Sequence, residues 1–219
     1  MPRILFEKRA NAIWISHLDL MRLFQRAFKR AGLPLTHTQG FNQRPSVSIA
    51  LPLSVGVESV CELLDFELDG EEVACDEIRR RLNENLVEGI RVLAVCKKGR
   101  KLRDLTYLQC KVVLEYDNGL PVEAVEKIRT LFAGESVIVP KRTKNGVQDQ
   151  DIIPMIKRME VSAHGDNELV LKGLVCCQNP TLNPVQLVSA IERYLPELKP
   201  DFSKCFRLEV FDQDEKVFR

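Results

Sequence analysis

From residue 1 to residue 98, stretches of strand period and helix period follow one another in the order β-α-β-β-α-β. "RILFEKR" alternates as a strand does. "SHLDLMRLFQRAFKRAG" repeats its apolar residues every three or four positions and stops at Gly32, while "PLTHTQ" is a short extended piece. "SVSIALPLSV" and "CELLDFELD" are strand-like. "CDEIRRRLNENL" sets Ile78 and Leu82 one helical turn apart, and "GIRVLAVCKK" closes as a strand. Few folds accept this order, and the split βαβ of a ferredoxin-like domain is one that does.

The order recurs further on. "TYLQCKVVLEYD" reads as a strand and "PVEAVEKIRTLFAG" as a helix with proline at its start and glycine at its end. "SVIVPKR" reads as a strand, "TKNGVQDQ" as a turn marked by Asn145-Gly146, and "DIIPMIKRMEVSA" and "ELVLKGLVCC" as a strand pair joined by "HGDN". "NPVQLVSAIERYLP" is a helix and "KCFRLEVFD" the final strand. The expectation is an α+β fold of two tandem ferredoxin-like domains, antiparallel sheets with helices on one face. Residues 1–98 form the first domain, 99–105 a basic linker, and 106–219 the second, with an extra strand or insertion. The linker reading rests on "KKGRKLRDL", in which five of nine residues are basic.

Charge and cysteine usage narrow the class. Lysine plus arginine is 32 and aspartate plus glutamate 31 in 219 residues, so only local clusters can indicate nucleic acid. No stretch approaches the ~20 apolar residues that span a bilayer, and the start has no signal-peptide core. No membrane role is expected. The seven cysteines are scattered. Cys61, Cys75, Cys96, Cys110 and Cys205 read as reduced core residues, and a cytoplasmic setting follows. Cys176 and Cys177 are neighbours on a strand and point to opposite faces, so no metal site and no cofactor in this chain are expected.

Ser16 and Asp19 make a capping box at the start of the first helix, the hydroxyl accepting from the Asp19 amide and the carboxylate reaching back. Beyond it, Arg22, Arg26, Lys29 and Arg30 share one side of the helix, opposite Leu20, Phe24, Ala27, Phe28 and Ala31. This is either a solvated face or a ridge for phosphates, and no acid follows Asp19 within the helix to neutralise it. His17 and His37 could converge as an acid–base pair, with Asp19 beside them, whereas His164 sits in a turn. "THTQGFNQRPSVSIALP" offers Gln39, Asn42, Gln43 and Arg44 as donors, with Gly40 free to turn and Pro45 forcing an extended exit. Glu58 and Ser59 lie beyond the next strand. No phosphate loop, dinucleotide fingerprint, nucleophile elbow or base-stacking RNP strand is present. With aromatic residues at 6%, stacking is not expected to be the main binding mode.

Through "SHLDLMRLF", "RAGLPL", "QGFN" and "LPLSVGVES" the chain resembles the radical-SAM-linked family, a bacterial domain of unknown function. Its members are encoded beside a radical S-adenosylmethionine enzyme or fused to that enzyme's C-terminal end. The resemblance implies a helper of such an enzyme, in an RNA or translation setting. The partner would carry S-adenosylmethionine and an iron–sulfur cluster. The family loop usually reads G-F-N-P-H-P, whereas Gln43 and Arg44 stand here in place of its first proline and its histidine. Arginine stays charged, so this position suits phosphate gripping rather than proton transfer. The paired layout is also similar to CRISPR repeat-processing endoribonucleases and tRNA pseudouridine synthases, although the R-x-D-type loop of the synthases has no match.

Three readings follow. The first is an RNA-binding or substrate-presenting accessory protein of a radical SAM enzyme, in tRNA or rRNA modification or ribosome-related metabolism. Its candidate contacts are Arg22, Arg26, Lys29, Arg30, Gln39, Asn42 and Arg44. The second is a metal-independent ribonuclease or RNA-modifying enzyme using His17 or His37. The third is a protein adaptor that makes no RNA contact. The oligomeric state is open.

Overall fold

Phe24 lies edge-on to Phe6, with ring centroids 4.8 Å apart, and Phe28 meets Phe66 at 5.1 Å. These contacts centre the first of two units, residues 1–104 with 217–219; the second is residues 105–216. The computed structural model describes residues 1–39, 41–143 and 146–219. Together these residues form an α+β fold with four α-helices and antiparallel sheets.

In the first unit the order is β1 (Arg3–Lys8), α1 (His17–Arg30), β2 (Val47–Ile49), β3 (Glu58–Phe66), α2 (Cys75–Asn83) and β4 (Ile90–Cys96). The strands pair antiparallel as β4-β1-β3-β2. Ile4, Phe6, Leu64, Phe66 and Val92 pack with Leu20, Phe24 and Phe28 of α1 and with Ile78 and Leu82 of α2. Each such buried side chain contributes about 1.5–3 kcal/mol. On the other face of β1 the buried Arg3 forks onto Asp65, with bonds of 2.6 and 2.9 Å. Phe218, also buried, lies 5.3 Å from the Arg3 guanidinium and 5.0 Å from that of Arg100, so the last three residues close this unit.

The strand expected over "SVSIALPLSV" is cut to Val47–Ile49. Leu51 adopts φ +49° and Pro52 has no N–H to give the sheet, so the chain leaves it there. The piece "PLTHTQ" makes only isolated bridges, Leu35 with Leu68 and His37 with Pro45.

The second unit runs β5 (Leu105–Glu115), α3 (Ala124–Phe132), β6 (Ile138–Thr143), β7 (Gly146–Asp151), β8 (Ile156–His164), β9 (Glu168–Cys176), α4 (Val185–Tyr194) and β10 (Phe202–Asp212). Its sheet is antiparallel in the order β10-β5-β9-β8. β6 and β7 pair as a separate hairpin, so "TKNGVQDQ" is largely strand rather than turn; its Lys144 and Asn145 lie outside the described residues. Gln150 ties the hairpin down by donating to the Thr181 carbonyl at 3.1 Å. Pro154 opens a 3₁₀ turn over Ile153–Met155, which delays β8 to Ile156. Ala124, Ile128, Leu187 and Ile191 of the helices are buried, as are Leu108, Cys110, Val112 and Leu114 of β5. Strand alternation sends Gln109 and Lys111 to the opposite face.

Phe24→Ala should lower the stability of the first unit by about 3–5 kcal/mol through the cavity it leaves. Trp14, the single tryptophan, lies in this unit, so its fluorescence during urea unfolding gives the readout. A loss under about 1 kcal/mol would remove this ring from the centre of the core.

Candidate nucleic-acid interface

β1 ends in a lysine that is 1% exposed. Lys8 Nζ donates to the Ile13 carbonyl at 3.0 Å and to the Ile15 carbonyl at 2.8 Å, which fixes the 3₁₀ turn over Ala10–Trp14. Gly56 N–H donates to the same Ile13 carbonyl at 3.0 Å. Gly56 sits at φ +83°, and a Cβ there would lie 3.4 Å from the Trp14 ring, so glycine suits both the turn and the packing. The motif pieces "SHLDLMRLF" and "LPLSVGVES" therefore meet around this turn. Glu58 accepts from Arg9 Nε at 2.9 Å, and the buried Ser59 accepts from the Cys61 N–H at 3.3 Å. Both motif residues hold local structure.

Ser16 caps α1 as expected, accepting from the Asp19 N–H at 3.2 Å. The Asp19 carboxylate, however, accepts from the Ser16 hydroxyl at 2.7 Å rather than from its amide. Asp19 also accepts from Arg22 at 3.0 Å. The Ser16 hydroxyl, then Arg22, hold the Asp19 carboxyl below the usual range. The basic ridge is thus not free of acid, although a pair exposed by 64% and 60% is worth little in water.

Arg22, Arg26 and Arg30 line one groove of about 420 Å³ with Asp19, Leu23 and Val87. Arg30 donates to the Asn85 carbonyl at 2.7 Å. Among the described residues Arg26 makes no ion pair or side-chain hydrogen bond. Lys29 has a different place: it lines an apolar pocket with Gln25, Phe28, Leu35, His37 and Pro45. At ~100° per residue the four cations spread over about 100° of helix surface, and the spread divides them.

The loop carrying Gln39, Asn42 and Arg44 is a short irregular hairpin. Thr38 N–H donates to the Arg44 carbonyl at 2.8 Å, and Arg44 N–H returns a bond to the Thr38 hydroxyl at 3.1 Å. The three side chains are exposed, and Gly40 lies outside the described residues. The bridge from Leu35 to Leu68 puts this hairpin beyond the end of β3, whereas Glu58 starts that strand, ~26 Å away. Pro45, next to Arg44, lines the Lys29 pocket and not the arginine groove. The expected convergence of His17 and His37 fails. His17 begins α1, while His37 shares a pocket with Lys29, ~18 Å further along the helix.

The linker charges are partly spent within the first unit. Lys97 pairs with Glu72 at 2.6 Å, Arg100 lies over Phe218, and Arg103 sits 3.7 Å from Asp104.

Cys75 and Cys96 are half-buried rather than core residues, whereas Cys110, Cys177 and Cys205 are buried. Burial pushes the Cys110 and Cys177 thiols up to about 12. Among the described residues no three of His, Cys, Asp or Glu gather as metal ligands, and no helix is long and apolar enough to cross a membrane.

A family model described as "Uncharacterized protein conserved in bacteria (DUF2344)" matches residues 2–184. No curated protein matches the chain. Among solved structures, a chain of "Crystal Structure of a Cbf5-Nop10-Gar1 Complex" is similar at 10% identity and TM-score 0.52, over 98% of this chain and 50% of that one. A chain of "Crystal structure of the archaeal box H/ACA sRNP Nop10-Cbf5 complex" is 10% identical with TM-score 0.42, over 94% of this chain and 46% of that one. This chain spans about half the length of each, and the first likeness is one of fold.

Burial keeps both thiols protonated at pH 8, and the thiolate is the form that reacts. Iodoacetamide at pH 8 should label Cys75 and Cys96 and leave Cys110 and Cys177 unmodified until the chain is unfolded. Peptide mass spectrometry checks this, and early labelling of Cys110 would contradict its burial.

Proposed function

The chain belongs to the DUF2344 family of uncharacterised bacterial proteins, and from that premise we propose that it is an RNA-binding or substrate-presenting accessory protein. The carrying observation is the groove on α1. Arg22, Arg26 and Arg30 recur once per turn, ~6 Å apart, beside the apolar surface of Leu23 and Val87. Arg26 makes no ion pair among the described residues, although its charge also acts on Asp19, and Arg22 has only an exposed pair. Guanidinium groups so placed bind phosphate oxygens in fork geometry and release counterions on doing so. Lys29 and the exposed Arg44 extend contacts to the other flank of the helix.

The resemblance through "SHLDLMRLF" and "LPLSVGVES" supplies the partner in this reading. A radical SAM enzyme brings S-adenosylmethionine and the iron–sulfur cluster, and this chain brings the RNA, in the cytoplasm. Two ferredoxin-like units are the fold it uses. The strand orders β4-β1-β3-β2 and β10-β5-β9-β8, each with two helices, support that description. Catalysis by a His17–His37 pair has no geometric support, because the two lie toward opposite ends of α1.

A fluorescent RNA hairpin titrated by anisotropy across a salt series tests the reading. The full chain should bind at low salt and weaken linearly on a log–log plot. Arg26→Ala with Arg30→Ala should weaken binding roughly ten- to hundredfold and flatten the slope by about two. No affinity at low salt, or affinity unmoved by the double substitution, would overturn it.

A further inference from the structure

On the sheet face of the second unit that carries Lys111, Val113 is buried, Lys111 and Phe206 are half-buried, and Lys172 is exposed. The register sets Phe206 of β10, Lys111 of β5 and Lys172 of β9 side by side in one row across three strands. Phe202 lies four residues before Phe206 on the same face, ~13 Å away, and is 54% exposed. Lys204 stands between them. Lys111 Nζ is 4.5 Å from the Phe206 ring centroid, so its charge lies against an aromatic face.

The row sets two like charges side by side. Lysines directly opposite each other across strands destabilise a sheet. Lys111 and Lys172 make no ion pair among the described residues, although Glu160 stands opposite Lys172 in the register. Acids do occupy the rest of this face. Glu115 and Glu168 face one another, and Lys204 pairs with Glu115. Glu215 holds Lys157 at 2.8 Å and also pairs with Arg158. The cationic charge still free to meet an anion is therefore that of Lys111 and Lys172, with aromatic rings beside it.

We propose that this face binds a single-stranded nucleic acid, a base stacking on Phe206 and a phosphate seated over Lys111 and Lys172. It deepens the RNA-binding reading above, from which it takes the class of partner, but it rests on different residues. Stacking is tolerant of sequence because every base has a π-face, whereas a duplex keeps its base faces closed. The glutamate pair beside Lys204 repels phosphate and confines the strand to the Lys111–Lys172 row. A stacked base is what converts a neutral face into a binding surface here, since the charges alone nearly cancel.

The test uses the full chain with two labelled probes, a short oligo-uridine RNA and a hairpin RNA. The oligo-uridine should bind, and Phe206→Ala should weaken it by roughly five- to hundredfold. Phe206→Tyr should keep the affinity, since the ring is retained. Lys111→Ala with Lys172→Ala should weaken the oligo-uridine and flatten its salt slope, with thermal denaturation checking that each variant is folded. Hairpin binding should stay unchanged in these variants and fall in the Arg26→Ala, Arg30→Ala chain. Failure of the full chain to bind oligo-uridine, or binding unmoved by both the Phe206→Ala and the paired lysine changes, overturns this inference and leaves the α1 reading standing. Hairpin binding unmoved by the arginine changes, with oligo-uridine binding still lost in Phe206→Ala, refutes the α1 reading and upholds this one.

Discussion

The buried ammonium of Lys8 is the constraint from which the first unit is laid out. Taking a lysine charge out of water costs several kcal/mol unless donors and acceptors are matched. The carbonyls of Ile13 and Ile15 supply that match, each charge-assisted bond being worth about 1.5–3 kcal/mol. They are in turn carbonyls of the turn that must be crossed before α1 begins at His17. The ammonium thus fixes where the chain enters the helix, and Ser16 then caps it. Because Lys8 pairs with Ser59 in the register, the same point fixes the loop that returns through Gly56.

Once the entry of α1 is set, its rotation is set too. Leu20, Phe24, Ala27 and Phe28 must face the sheet, and this sends Arg22 straight outward. The helical advance carries Arg26 and Arg30 toward Val87 and leaves Lys29 on the side of His37. A run of cations that looks like one stripe in the sequence is thus shared between two flanks.

The element order of the first unit was legible because each element has its own apolar period and a clear stop, such as Gly32 after α1. The Ser16–Asp19 box was legible for a similar reason, since both partners lie within one turn. What could not be read was set by backbone at single residues or by long-range placement. Leu51 at positive φ ends β2 early, and no side-chain pattern announces it. The separation of His17 from His37 depends on how α1 lies along the sheet. In the sequence the arginine ridge looks free of acid because none follows Asp19 within the helix, whereas Asp19 itself reaches forward to Arg22. The low aromatic content argued against stacking, yet composition averages over the chain. It does not register that Phe202 and Phe206 stand on the same strand face with lysines around them.

The two units also differ in how they treat the sheet face away from their helices. In the first, Arg3 and Asp65 lie on that face, and Phe218 beneath two guanidinium groups seals it, leaving Arg3 only 2% exposed. A cation so enclosed cannot reach a phosphate. In the second, Lys111 and Lys172 occupy the corresponding kind of face, half-buried and exposed respectively, and neither makes an ion pair among the described residues. Similar strand orders therefore lead to opposite uses of charge. One face spends its arginine on holding the chain together, and the other keeps its lysines for an anion from outside.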